Sequence, residues 1–188
     1  MSLVLAALLA LSHPPALADM AVAADTIEPL ALDAPLWLVS SETAPGSPEV
    51  AATALLLAAI GYHESGFSER VRRCLVRGPG GSVGAYQLLG SHALGGWTAD
   101  EVCASDDVSA RAALGVLRRH RDRCPTCVPA QWVAGYASGD MGRGSRAARE
   151  IVGVWSTLCR ASGLVCEPYS RGGPSWIVMP SQHLRRMI

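Results

Sequence analysis

The sequence predicts a mainly α protein built on one domain, and three observations carry that prediction. Apolar residues recur at helical spacing in several segments and nowhere alternate as a half-buried strand would. The chain has 188 residues, 49% apolar and 17% charged, which suits one buried core plus a short arm. Six cysteines, an even set, are available to support it with disulfides. A mean hydropathy of +0.23 with 19 Gly and 12 Pro excludes a wholly disordered or collagen-like chain. No apolar run is long enough to cross a bilayer, so stable membrane insertion is not expected. Lys and Asn are absent while Ala and Arg are abundant. GC-biased coding explains that composition, so those absences say little about function.

At the start of the chain, Leu3 to Leu11 form an apolar block, followed by His13-Pro14-Pro15 and Ala16-Leu17-Ala18. This pattern predicts a secretory signal peptide over residues 1–18, with cleavage after Ala18 and an exported, periplasmic or secreted, location. It lacks the usual Arg or Lys before the apolar block. Residues 19–47 follow as an irregular acidic arm holding Pro29, Pro35 and Pro45, with an apolar patch Leu36-Trp37-Leu38-Val39 suited to docking on the domain.

The domain itself spans residues 48–166. Ser47-Pro48-Glu49 reads as a helix start, with Ser as N-cap, Pro in the first turn and an acid beside it. The run from Val50 to Ile60 is apolar nearly all round, which predicts the central buried helix over residues 48–63. A second helix is expected over residues 108–123, with Asp106 and Asp107 before it and Arg118, Arg119, Arg121 and Arg123 at its end, matching the macrodipole. Its buried stripe is expected at Val108, Ala112, Val116 and Leu117. A third helix over 129–137 carries Trp132, Val133 and Tyr136. A fourth begins near Ser145 and buries Ala148, Ile151, Val152, Trp155 and Leu158. Residues 167–188 read as an irregular tail.

Cys74, Cys103, Cys124, Cys127, Cys159 and Cys166 allow 15 pairings. The local pairs Cys124 with Cys127 and Cys159 with Cys166 are the natural first choices. His120-x-x-x-Cys124-x-x-Cys127 is the alternative zinc arrangement, but an oxidising compartment removes the thiolates that zinc needs. Neither a metal nor another cofactor is expected. Charge is zero overall but uneven: six acids and no Arg from Asp19 to Glu49, then ten acids and sixteen Arg. A basic domain fits an anionic polymer such as cell wall or nucleic acid, by attraction that salt screens.

Chemistry concentrates at Tyr62-His63-Glu64-Ser65-Gly66-Phe67. The C-terminal end of an apolar helix favours a neutral carboxyl over a charged one. A carboxyl that can deliver a proton is what glycosidic bond cleavage requires. His63 projects about 100° from Glu64 on a helix, a supporting position. Gly84-Ala85-Tyr86-Gln87-Leu88-Leu89 lies about twenty residues on, and Gly135-Tyr136-Ala137-Ser138-Gly139 follows some fifty residues later.

In order and spacing, these three segments resemble the E-S-x-F, G-x-x-Q and A-Y-N-x-G motifs of the soluble lytic transglycosylase-like domain of the lysozyme superfamily, over residues 50–162. The resemblance implies a lysozyme-like fold with a central buried helix and peptidoglycan glycan strands, rather than nucleic acid, as partner. It makes Glu64 the catalytic acid/base, with Ser65, Gln87, Tyr136 and Ser138 around the substrate. It further implies cleavage between N-acetylmuramic acid and N-acetylglucosamine, with closure of a 1,6-anhydro ring. Two departures stand out: Ser138 occupies the region of the motif's Asn, and Tyr86 is bulkier than the usual residue in G-x-x-Q. They motivate a non-catalytic wall-binding protein as an alternative. Glu69, Asp100, Glu101, Asp106, Asp107 and Asp140 are candidates for a second carboxylate. One of them facing Glu64 would instead favour a hydrolytic muramidase.

Overall fold

A computed structural model describes residues 2–36, 47–142, 145–166 and the strand at 177–178. The described residues are mainly helical: α1 Leu3–Leu9, α2 Leu17–Asp33, α3 Pro48–Ser65, α4 Glu69–Arg72, α5 Gly90–Leu94, α6 Ala99–Ala104, α7 Asp106–Arg123, α8 Pro129–Ser138 and α9 Arg146–Ala161. Two short strands, β1 Val165–Cys166 and β2 Ile177–Val178, pair antiparallel. The remainder of the expected tail, like Trp37-Leu38-Val39, lies outside the described residues.

The central helix forms as its sequence predicts. The Ser47 hydroxyl accepts from Val50 N at 3.3 Å, and Pro48 opens the first turn, where its missing N–H is no loss. Every residue from Val50 to Gly61 is buried. Burying a side chain such as Leu55, Leu56, Leu57 or Ile60 contributes about 1.5–3 kcal/mol. α3 is enclosed by α1, α2, α7 and α9. Trp155 of α9 is fully buried and donates its indole N–H to the Ala52 carbonyl at 3.2 Å. The single polar side chain within this buried stretch, Thr53, bonds to Glu49 O and accepts from Leu36 N, which docks the start of the expected apolar patch on the helix. The stripe expected on α7 is buried at Ala112, Val116 and Leu117 and half-buried at Val108.

The irregular arm expected over 19–47 is corrected. Residues 17–33 form α2, with Pro29 inside it. The prolines argue locally for irregular chain, but Met20, Ala23, Ala24, Ile27, Leu30 and Ala31 all fall on one buried face. That burial against α3 and α7 outweighs the one hydrogen bond Pro29 removes. The apolar block of the expected leader is α1, whose Val4, Ala7 and Leu8 are buried in the common core. Ala16-Leu17-Ala18 accordingly sits at the N-cap and first turn of α2.

Disulfides join Cys74 to Cys103, Cys124 to Cys127 and Cys159 to Cys166. Both local pairs are as expected, and the zinc alternative is excluded because Cys124 and Cys127 are bonded to each other. Three disulfides fit an oxidising compartment. Among the described residues no helix is long and apolar enough to cross a membrane.

One buried cation links three parts of the chain. Arg72, 6% exposed, donates to Asp106 Oδ2 at 2.6 Å, to Asp19 Oδ1 at 3.1 Å and through Nε to the Phe67 carbonyl at 2.8 Å. It therefore ties α2 and the start of α7 to the turn that leaves α3. Replacing it takes the guanidinium from Asp19 and leaves Asp106 with Arg73 alone, which costs more than the intact pair contributes. Arg72→Ala is expected to lower the unfolding free energy by roughly 3 kcal/mol in urea denaturation. Native-like stability in both Arg72→Ala and Arg72→Met would remove the arginine from this role.

Candidate functional site

The end of α3 is shaped by its own sequence. Ser65 turns its hydroxyl back to the Gly61 carbonyl at 2.9 Å and accepts from Phe67 N at 3.0 Å. Gly66 then takes the left-handed conformation that ends the helix, with its N–H on Tyr62 O at 2.9 Å. Phe67 also has positive φ, 57°, and its ring is buried against Gly61, where an added Cβ would lie 2.4 Å from the ring. The strained Phe67 backbone is thus held by burial of its ring and by Arg72 on its carbonyl. Glu64 is left at the rim of the core, with its side chain 20% exposed.

Glu64 opens onto a groove of about 680 Å³ that Gln87, Tyr136 and Ser138 also line. Four of the five residues assigned from the sequence therefore meet in one place. Ser65 is the exception and its assignment as a substrate contact is corrected: it is not part of the lining, and its hydroxyl is occupied within the turn. A second cavity, about 690 Å³ between α1, α2 and α3, is lined mainly by apolar residues. Its polar members are Asp25 and Glu28, and Glu28 already accepts from Ser2 Oγ and Val4 N. The first groove is the one that brings an acid, an amide and a phenol together.

Gln87 is placed by a tight hairpin. Val83 and Leu88 exchange backbone hydrogen bonds at 3.0 and 2.9 Å across the loop Gly84-Ala85-Tyr86-Gln87. The Cys74–Cys103 disulfide ties the chain after α4 to α6, and Gly84 N of the loop lies 3.3 Å from Cys74 Sγ. The Gln87 amide accepts from Ser82 Oγ at 2.8 Å and donates to Gly84 O at 3.0 Å. Gly78 leaves room for it: a Cβ there would sit 1.7 Å from Gln87 Oε1. The bulky Tyr86 does not intrude on the groove, since its ring is buried in the core. Only its carbonyl reaches toward the site, accepting the Tyr136 hydroxyl at 2.5 Å. Burial, then the charge of Glu64, then Tyr86 push the Tyr136 phenol well above its ordinary range, so it stays a neutral donor. Ser138 ends α8 with its hydroxyl on Ala134 O at 2.8 Å, close to Asp140 N and O at 3.3 Å.

His63, expected as a supporting group next to Glu64, touches it. His63 Nδ1 lies 3.4 Å from Glu64 Oε1, and Nε2 lies 3.1 Å from Glu150 Oε2, which Arg146 binds at Oε1 at 2.7 Å. The Glu64 hydrogen bond, opposed by burial and reinforced by Glu150, raises the imidazole above its ordinary 6.5. Glu150 was not identifiable from local sequence, because it meets His63 only through the packing of α9 on α3. The expected second carboxylates are elsewhere. Asp106 binds Arg72 and Arg73, Asp107 binds Arg111, and Glu101 closes the α6 capping box with Thr98. Asp100 lies in the first turn of α6, Glu69 is exposed on α4, and Asp140 accepts from Gly142 N. Among the described residues, Glu64 is the only carboxylate lining the groove.

Also unrecognised in the sequence is the opposite wall, where Val116, Arg119, His120 and Arg123 of α7 line the groove at i, i+3, i+4 and i+7. The spacing was legible, but the arginines were read as a helix-end charge pattern. Among the described residues no group of three or more His, Cys, Asp or Glu is arranged to hold a metal ion. Comparison of the chain with protein-family models, curated proteins and solved structures finds no match.

His63 sets a sign for the pH dependence of stability. Its raised value means that its contribution is fully present below the unfolded imidazole's 6.5 and is lost as pH rises through the folded value. The stability difference between the native chain and His63→Gln should thus be largest at about pH 5.5 and shrink above neutrality in paired denaturation curves. A difference that is flat with pH would place the imidazole outside the Glu64–Glu150 pair.

Proposed function

We propose that this chain is an exported, periplasmic or secreted, peptidoglycan lytic transglycosylase on a lysozyme-like fold. The observation that carries the reading is a groove in which Glu64, the only lining carboxylate among the described residues, shares the lining with Gln87 and Tyr136. The motif order supports it, since the three segments that resemble the lytic transglycosylase pattern converge on that groove although they are far apart in sequence.

One carboxylate matters because of what the reaction must balance. Hydrolysis of a glycosidic bond ordinarily uses two, one as acid and one as base or nucleophile. In the proposed reaction Glu64 gives a proton to the glycosidic oxygen between N-acetylmuramic acid and N-acetylglucosamine, and the C1–O bond breaks. The substrate's own N-acetyl oxygen supports the positive charge left at C1. The Glu64 carboxylate then takes the proton of the C6 hydroxyl, and that oxygen closes on C1 to form the 1,6-anhydro ring. Glu64 ends in its starting state and water is not consumed. His63 hydrogen-bonds the carboxyl from behind, and Tyr136, its hydroxyl donated to the Tyr86 carbonyl, stays neutral at the groove. Gln87, fixed by Ser82 and the Gly84 carbonyl, offers an amide edge to the sugar.

The test is digestion of purified sacculi with mass analysis of the fragments. Anhydro-ended fragments are expected, and Glu64→Gln should lower their rate of release by at least 10²–10⁴ while leaving the thermal unfolding curve in place. Reducing ends would establish a hydrolytic muramidase instead. Binding without fragments would establish a wall-binding protein.

A further inference from the structure

The charge along α7 is divided between two sides of the helix. Arg118 and Arg121 turn to the carbonyls of Pro35 and Leu36, and Arg121 also pairs with Asp122. Arg119, His120 and Arg123 turn the other way and line the groove. Arg119 donates once, to the His92 carbonyl at 2.8 Å, and Arg123 is exposed with no ion pair among the described residues. These arginines face only one lining carboxylate, Glu64. Compensation of the helix end does not require them on this side.

His120, on the same wall, is packed rather than open to the groove at its Nδ1. It is only 8% exposed, yet its Nδ1 is buried without a hydrogen-bond partner among the described residues. α8 closes over it at Gly135, where a Cβ would lie 2.6 Å from that nitrogen. Burial first, then the charges of Arg123, Arg119 and His92, lower its imidazole below the ordinary 6.5 and keep it neutral. The ring is a packed, neutral part of the wall, and the two guanidinium groups beside it are what an anion in the groove would meet.

We propose that Arg119 and Arg123, on the α7 wall of the groove, form a subsite for a carboxylate borne by the glycan. That carboxylate is the lactyl acid of muramic acid or the acid of a peptide attached to it. The proposal rests on reading the groove as a glycan site and adds to it a preference for acid-bearing strands over neutral ones. Guanidinium recognition of a carboxylate is directional, so the subsite would also fix which way a strand lies across Glu64.

The experiment measures ligand affinity by calorimetry on the full chain carrying Glu64→Gln, which does not turn the ligand over. The ligands are an N-acetylglucosaminyl-N-acetylmuramic acid disaccharide as the free lactyl acid, as its lactyl amide, and with the lactyl carboxyl joined to a short peptide. The free acid is expected to bind about tenfold tighter than the amide, and Arg123→Gln in the same background should reduce that ratio to about two. The His120 ring signals should titrate at higher pH with the acid bound than with the amide bound. Equal affinity for acid and amide, or an unchanged ratio in a chain carrying both Arg119→Gln and Arg123→Gln, overturns the subsite. The peptide form separates the two sources: acid-like binding assigns recognition to the peptide's acid, amide-like binding to the lactyl group. An acid preference with no sacculus cleavage by the native chain overturns the transglycosylase reading and leaves the subsite standing. Anhydro products with no acid preference do the reverse.

Discussion

A helix with no polar face constrains everything around it. From Val50 to Gly61 α3 is buried on all sides, so any side chain that must meet solvent has to lie at its ends. The N-terminal end is closed by Ser47 and Pro48, and the C-terminal end carries Tyr62, His63, Glu64 and Ser65 in succession. Each has a different neighbour: the Tyr62 hydroxyl donates to the His13 carbonyl, His63 reaches Glu150, Ser65 folds back on its own helix, and Glu64 lines the groove. The position of Glu64 at the rim is a consequence of packing the rest of the rod.

The turn after that helix then joins the remaining walls. Phe67 packs on Gly61, its carbonyl is taken by Arg72, and Arg72 reaches α2 and α7. Two residues later Cys74 is bonded to Cys103, and the Gln87 hairpin begins ten residues on, with Gly84 N against the Cys74 sulfur. The acid and the amide are thus connected by a short path of covalent and buried polar links. Tyr136 arrives from the far side, and its hydrogen bond to the Tyr86 carbonyl fastens α8 to the same hairpin. The bulk of Tyr86 serves packing and its backbone serves the site.

What the sequence made legible follows from the range of the interactions involved. α3, α7, α8 and α9 could be read because their apolar spacing and caps are local, and both short-range disulfides could be read for the same reason. α2 could not, because Pro29 and the prolines that follow the helix argue locally for irregular chain while its helical state is secured by burial against α3 and α7. Glu64, Gln87 and Tyr136 were identifiable as a set from their motifs, whereas Ser65 shares a motif with the acid but faces the helix. His63 with Glu150, and the α7 wall, depend on contacts between elements distant in sequence, and no local pattern encodes such contacts.

The groove's charges also bear on one another. Behind Glu64, away from the groove, stand His63, Glu150 and Arg146, an alternating series of acids and bases in which each member has a partner. Across the groove stand Arg119 and Arg123, which lack an acid of their own among the described residues. A neutral glycan entering between them would leave those guanidinium groups dependent on water. A strand carrying a carboxylate would supply an anion on the α7 side and leave Glu64, held from behind by His63, to the bond being broken. The two walls therefore divide the work the proposed reaction needs: one holds the chain by its charge, and the other presents a carboxyl to the bond to be broken.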